Sequence, residues 1–400
     1  MVRPAVPGSG PEAEPVATFV DRARVWLEAN ASWRRGRAND ASLRVFADPD
    51  PEQSAVEVAE ARQWQRRKWE AGFAAVSWPA ELGGAGLTAA HERAFDRLER
   101  DFETPRRTEV FNVTLGMVAP TVRDFGTEEQ KRRFLPTFFR GDALCCQLFS
   151  EPEAGSDLAS LRSNATRTGD GWSITGQKLW CSGAPHCEWG EAIVRTSRED
   201  ERHAGLTVFL VPMHDPGVQS SPIVQMTGGA TFHQVFLDAV PVDDQLRLGA
   251  IGEGWRVAQA TLGYERGGGA ALGGGTYRDL MALAQTLALN DDPLVRQRLA
   301  GLYADHRVHA CFASWRGREG TVTGAARASI GKLLFTNRLT EIGEEAARLL
   351  GPAITADPGQ EETYEWTGHL LGAPGPSIAG GTSEIQRNII AERGLGLPRS

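Results

Sequence analysis

Three serines and one tryptophan near the middle of the chain have the types and spacing to hold a planar, polar ligand. The run CCQLFSEPEAGSDLASL (residues 145–161) is followed by GDGWSITGQKLWCSG (residues 169–183), and each reads as strand, tight turn and strand. Ser150, Ser156 and Ser182 supply hydroxyls that donate and accept, and exposed main-chain N–H groups supply further donors. Trp180, flanked by Cys181 and Ser182, offers a flat apolar face. Ala154, Gly155 and Ser156 are small, as expected where a backbone passes close to something. The same residues also suit an ordinary β-meander with a tryptophan in its core, and by themselves they leave both readings open.

Several other chemistries are disfavoured. The sequence contains no exact G-x-G-x-x-G and no P-loop, which argues against a nicotinamide Rossmann enzyme or a nucleotide hydrolase. His306 and His309 are the only close histidine pair, and without an acidic or thiol companion they read as structural rather than metal-binding. With 43 basic and 51 acidic residues the formal net charge is −8, which argues against general nucleic-acid binding. Five scattered cysteines (Cys145, Cys146, Cys181, Cys187, Cys311) lack zinc-type spacing and fit a reduced, cytoplasmic setting. No secretory signal is expected, and no run approaches the roughly 18 apolar residues of a membrane span.

The elements that must carry these residues are legible from hydrophobic periodicity. At 400 residues the chain can bury more than one core. Residues 1–14 read as a mobile leader and residues 15–142 as an N-terminal helical domain. In it Phe19, Ala23, Trp26 and Leu27 fall at helical spacing, as do Val56, Val58, Ala61 and Trp64. WPAELGGAGLT, from Trp78, is a loop, helices resume near Ala89 and over 110–125, and Thr127 is placed to cap EEQKRRF. Residues 143–250 read as a β domain, with strands expected at 143–149, 160–168, 172–178, 191–196, 205–212, 222–226 and 232–238. Residues 251–400 are helical again, with Ile330, Leu333, Leu334, Leu339, Ile342, Ala346 and Leu349 expected on one buried face.

The 145–183 stretch resembles the central signature of the acyl-CoA dehydrogenase family, flavoenzymes that oxidise acyl-CoA thioesters. Three further stretches match that family in order: GTEEQKRRFLP from Gly126, PGVQSSPIVQMTGGATFHQVFLDAVPV from Pro216 and IAGGTSEIQRNIIAERGLGLPR from Ile378. The resemblance implies an α+β fold, with an N-terminal helical domain, a central β-barrel-like domain and a C-terminal four-helix bundle. It also implies FAD, an acyl-CoA substrate, an electron-transfer flavoprotein or similar acceptor, and a homodimer or homotetramer, with no nucleic acid or membrane as partner.

Carried over residue by residue, the resemblance implies that Gln147, Leu148, Phe149, Ser150, Gly155 and Ser156 line the flavin, with Ser156 also facing the substrate, and that Trp180, Cys181 and Ser182 cover its ring. Arg296, Gln297 and Arg298, with His306 and Arg307, fall where the family holds the adenine-side phosphates of a neighbouring subunit's flavin. Arg348 and Gly351 stand where the family often has a glutamine and paired glycines, and Thr382, Ser383 and Glu384 lie at the near phosphates. Tyr264 and Gly381 are expected beside the substrate.

Removing hydrogen between the α and β carbons of a thioester requires a base for the α proton. In many family members a carboxylate stands directly before the G-T of the C-terminal motif, but here that position is Gly380. Glu265, in TLGYERGGG, resembles the base of the isovaleryl and long-chain branch, whereas taken alone it reads as half of a solvated Glu-Arg surface pair. Gly380 retains its N–H, which the resemblance implies polarises the thioester oxygen. The glycines at 267–269 and 273–275 suggest either room for a wide or ring-bearing acyl group or a locally loosened helix. Two other readings stay open: an oxygen-using flavoenzyme of the same fold, and a non-catalytic partner subunit of a heteromeric enzyme.

Overall fold

The computed structural model describes residues 14–34, 42–46, 48–197, 202–267, 273–315, 324–356 and 361–398. Residues 1–13 of the expected leader and Gly268, Gly269, Ala270 and Ala271 lie outside them. The chain forms two compact units: residues 1–38, 49–224 and 230–264 make the first, and residues 39–48, 225–229 and 265–400 the second.

In the first unit, helices α1 (Val16–Asn30), α2 (Pro51–Ala71) and α3 (Ala89–Glu99) surround an aromatic cluster. Phe19, Ala23 and Leu27 recur every fourth residue along one face of α1 and are fully buried with Phe73, Phe95 and Phe102. The fragment β1 (Ser32–Trp33) pairs with β2 (Phe102–Glu103), a contact that helical periodicity does not announce. Helix α4 (Glu109–Val113) continues through a π-turn into α5 (Ala119–Phe125). Helix α6 (Glu128–Arg140) starts at the expected cap: Thr127 Oγ1 accepts from Gln130 N at 3.2 Å, and Gln130 Oε1 accepts from Thr127 N at 2.7 Å. It continues past Pro136 because Phe134, Leu135, Phe138 and Phe139 bury its inner face.

The sheet contains β3 (Cys145–Leu148), β4 (Asn164–Thr168), β5 (Gly171–Ser182), β6 (Trp189–Arg195), β7 (Leu206–Pro212), β8 (Val218–Ile223), β9 (Phe232–Asp243) and β10 (Arg247–Leu248). Its order is β10-β7-β6-β4-β5-β9-β8, with β3 pairing alongside β6 in parallel. Val208, Phe209, Leu210 and Val211 are all fully buried, so β7 is covered on both faces. Several strand boundaries differ from expectation: β4 starts at Asn164, after a short helical turn over Leu158–Ser160, and β8 ends at Ile223. Strand β8 begins earlier than residue 222, while β5 and β9 run longer, because their mutual ladder extends beyond the apolar alternation of either strand. Helix α7 (Gly254–Gly267) follows.

The second unit packs α8 (Tyr277–Thr286), α9 (Pro293–Ser314), α10 (Gly324–Leu350) and α11 (Glu361–Gly372), followed by the short α12 (Pro374–Ile378) and α13 (Ser383–Ile389). Leu280, Leu283, Val295, Leu302, Ile342, Ala346, Leu349 and Trp366 form its core. The expected face of α10 holds from Leu339 onward. Earlier in the helix Ala326, Ser329 and Thr336 are buried, and Ile330, Leu333 and Leu334 are only half-buried. There the neighbouring segments approach closely enough to select small side chains.

Gly273 and Gly275 bear on the two readings offered for the glycine-rich stretch. They lie outside any helix, and a Cβ on Gly273 would stand 2.3 Å from the Arg44 carbonyl oxygen, while one on Gly275 would stand 2.7 Å from the Trp366 ring. These glycines admit the 42–46 segment and an indole, so their smallness is a packing requirement and does not speak for a wide acyl group. Fully buried His369 completes the corner, donating from Nε2 to Leu339 O at 2.8 Å and accepting from Gly275 N at Nδ1, 3.1 Å.

Candidate active site

In the first unit, β5 carries the tryptophan on a bulge. Its pairing with β9 shifts register between Lys178 and Cys181, and within that shift Trp180 takes a left-handed φ of +62°. The bulge leaves the indole 55% exposed, edge-on to Phe232 at 6.0 Å, while the Cys181 side chain returns to the core. The loop after β3 is tied to the same place, since Leu179 N donates to Ser150 O at 2.8 Å.

A buried ion pair fixes that loop. Lys178 Nζ, fully buried, donates to Glu151 Oε1 at 2.8 Å, to Ile193 O at 2.7 Å and to Phe149 O at 3.1 Å. Glu151 also accepts the N–H groups of Arg162 at 2.6 Å and Ser163 at 3.0 Å. Burial pushes the Glu151 carboxyl up, but the Lys178 charge and these donors outweigh it and hold the group below its ordinary range. Burial draws the Lys178 ammonium down, opposed by Glu151. Sequence reading missed this pair, although alternation from Trp172 and Ile174 puts Lys178 on the buried face of β5.

Of the residues expected at a flavin, Leu148, Phe149 and Cys181 bury their side chains in the core, which leaves their main chain for any ligand. Gly155 and Ser156 are exposed, and a Cβ on Gly155 would meet nothing within 4 Å, so the protein's own packing does not demand that glycine. Gln147 Nε2 is buried and has no hydrogen-bond partner among the described residues. An orphaned donor, an exposed indole and an open glycine turn together fit a flat polar cofactor with carbonyl acceptors.

Glu191, opposite Gln147 in the β3–β6 register, also escaped sequence reading. It is fully buried; Oε1 accepts from Thr261 Oγ1 at 2.8 Å, and Oε2 has no partner among the described residues. Burial raises its carboxyl to about 8, against a smaller opposing effect of the Thr261 hydrogen bond. Tyr264, expected beside the substrate, directs its hydroxyl to the Asp124 carboxylate.

The second unit brings Glu265 and Gly380 together. Gly380 has φ +62° and Gly381 φ +93°, and a Cβ on Gly380 would lie 2.9 Å from Glu265 Oε1. The Glu265 carboxylate therefore stands where a side chain at residue 380 would begin. Gly381 follows directly in the same turn, and Thr382 caps α13, accepting from Ile385 N at 3.3 Å. Ser383 and Glu384 form the first turn of α13, where main-chain and Thr382 hydrogen bonds hold the Glu384 carboxyl below its ordinary range.

The arginines expected at phosphates are partly committed. Arg298 Nε donates to buried Glu345 at 2.7 Å, and Arg348 donates to Glu345 at 3.2 Å and Glu344 at 2.9 Å. Arg296 and Gln297 are exposed on α9. Further along that helix, Arg307 donates to Tyr303 Oη at 3.2 Å and His306 packs against Tyr277 at 4.8 Å. Gly351 opens a short helical turn after α10 with φ +54°.

Comparison with known proteins bears on all three expected domains. Family models for the acyl-CoA dehydrogenase N-terminal, middle and C-terminal domains match residues 37–142, 146–240 and 252–395. The acyl-CoA dehydrogenase IpdE1 of Mycobacterium tuberculosis is 40% identical over 389 residues, covering 96% of this chain and 98% of the relative. Among solved structures, the ChsE4-ChsE5 complex from Mycobacterium tuberculosis is 27% identical with a TM-score of 0.73, covering 98% of this chain and 100% of that one. The Tcur3481-Tcur3483 steroid ACAD is 26% identical with a TM-score of 0.74, covering 97% and 99%.

Proposed function

The chain belongs to the acyl-CoA dehydrogenase family, an oxidoreductase fold acting on acyl-CoA, and on that premise we propose an FAD-dependent α,β-dehydrogenation of a ring-bearing, steroid-like acyl-CoA to its trans-2-enoyl-CoA. Glu265 takes the α proton. The observation that carries this reading is the Glu265 carboxylate 2.9 Å from the Cβ position of Gly380. A thioester oxygen and its α carbon are two bonds apart, so a base and an N–H donor must stand side by side to serve both. Glu265 and the Gly380 main chain do so, which supports a division of labour between a carboxylate from one segment and an amide from another.

Gln147, Ser150, Ser156, Trp180 and Ser182 would hold the flavin ring, with the Lys178–Glu151 pair keeping their loop in place. FAD, when bound, supplies the acceptor for the β hydride. Arg296, Arg307 and the Thr382–Glu384 turn remain the proposed phosphate contacts, with Arg298 and Arg348 weakened for that role by Glu345. The ring-bearing substrate is supported by the steroid dehydrogenase among the structural neighbours. An electron-transfer flavoprotein or similar carrier is the proposed acceptor, and the cytoplasm the proposed compartment, in keeping with four buried free cysteines.

For assembly we propose a dimer or dimer of dimers, because the family's flavin site is shared between subunits. The ChsE4-ChsE5 complex favours a second form of that proposal, in which the partner is a different chain. The test is anaerobic titration of the purified yellow protein with short, long, branched and ring-bearing acyl-CoA thioesters. Bleaching by the ring-bearing members, abolished in Glu265→Gln, is the expected result. A flavin that no thioester bleaches refutes the reading, and a colourless protein that gains flavin only with a second chain selects the heteromeric form.

A further inference from the structure

The turn at residues 379–381 has all its carbonyls held by side chains. Lys332, on α10, donates its ammonium protons to the carbonyl oxygens of Ala379 and Gly381. Gln386, fully buried on α13, donates from Nε2 to the carbonyls of Gly380 and Gly381, each at 3.0 Å. Ala379 N–H donates to Gly375 O at 3.0 Å, and with three successive carbonyls occupied the Gly380 and Gly381 N–H groups follow on the other side of their peptides.

The peptide between Ala379 and Gly380 is planar and trans, so the Gly380 N–H points away from the Ala379 oxygen. Lys332 thus sits behind the amide of Gly380, the residue whose Cβ position lies 2.9 Å from Glu265 Oε1. A cation on a carbonyl oxygen draws electron density out of the amide and makes its N–H a stronger donor.

We propose that Lys332 is a positioning residue for the acyl thioester, its ammonium both aiming and polarising the Gly380 N–H as the donor to the thioester carbonyl oxygen. This rests on the acyl-CoA reading above and extends it to a charge on α10 that does not itself meet the ligand. As Glu265 removes the α proton, negative charge gathers on the thioester oxygen. The polarised N–H stabilises that charge more than it stabilises the neutral ground state.

The test uses the full chain with its flavin, as wild type, Lys332→Gln and Lys332→Arg. The probe is (1-methylcyclohexyl)acetyl-CoA with carbon-13 at the thioester carbonyl, which has α protons but no β hydrogen and so cannot be dehydrogenated. Infrared spectroscopy reads the carbonyl stretch, and mass spectrometry reads exchange of the α protons with deuterated water.

In the wild type the bound stretch falls below its free value. Lys332→Gln, which keeps a donor but loses the charge, is expected to lose most of that displacement and slow exchange about tenfold, with little change in binding. Lys332→Arg, which keeps the charge, is expected to retain most of the displacement. A wild-type displacement that Lys332→Gln leaves intact, with normal exchange, overturns the inference alone. So does an Arg variant that binds the probe without displacing its band. An undisplaced band in the wild type overturns the acyl-CoA reading and the inference with it.

Discussion

Replacing Glu191 by glutamine should stabilise the protein in a pH-dependent way. The Glu191 carboxyl is fully buried, and burial raises it from an ordinary 4.5 to about 8. Between those values the folded chain keeps a proton that the unfolded chain has released, so stability falls as pH rises through the interval. Below about 4.5 both states are protonated and the acid costs nothing; above about 8 the cost is complete. About three and a half pH units, at about 1.4 kcal/mol each, give roughly 5 kcal/mol at the upper limit and about 3 kcal/mol at pH 7. Glutamine cannot ionise, and its carbonyl can keep the Thr261 hydrogen bond. Urea unfolding of wild type and Glu191→Gln, repeated from pH 5 to 8.5, should show near-equal stabilities at the acid end and a variant ahead by several kcal/mol at the alkaline end. A difference that does not change with pH, or a wild type that stays ahead at pH 8.5, would refute a buried neutral acid at this position.

Three other substitutions test separate parts of the structure. Gly380→Ala forces a side chain to φ +62° and against the flexible end of Glu265; stability should drop by about 1–2 kcal/mol, whereas acyl-CoA α-proton exchange should drop at least about tenfold. Unchanged exchange would show that the carboxylate need not stand there. Lys178→Met leaves Glu151 buried with only its main-chain donors, and denaturant titration should show a loss of about 3–5 kcal/mol; a loss below about 1 kcal/mol would mean the pair behaves as a surface one. Gly275→Ala drives a methyl into Trp366 and should lower stability by about 1–3 kcal/mol in thermal unfolding. An unchanged or raised melting temperature would return that glycine to the role of spare room.

Sequence alone determined the family, the three-part order of helices, strands and helices, and those features in which near neighbours meet. The Thr127 cap and the inward row of Phe19, Ala23 and Leu27 are complete within a few residues, where helix geometry fixes which groups meet. The missing carboxylate at Gly380 was equally plain, because it is a matter of residue identity. Tertiary structure alone decided what surrounds that glycine. Glu265 beside Gly380, Lys332 behind the same turn, the Lys178–Glu151 pair and the buried acid at Glu191 each join segments remote in sequence. The early part of α10 was misjudged, and the choice between the two readings of the glycines at 273 and 275 was left open, for the same reason. Periodicity says which way a residue points, but the space it meets there is set by a packing partner elsewhere in the chain.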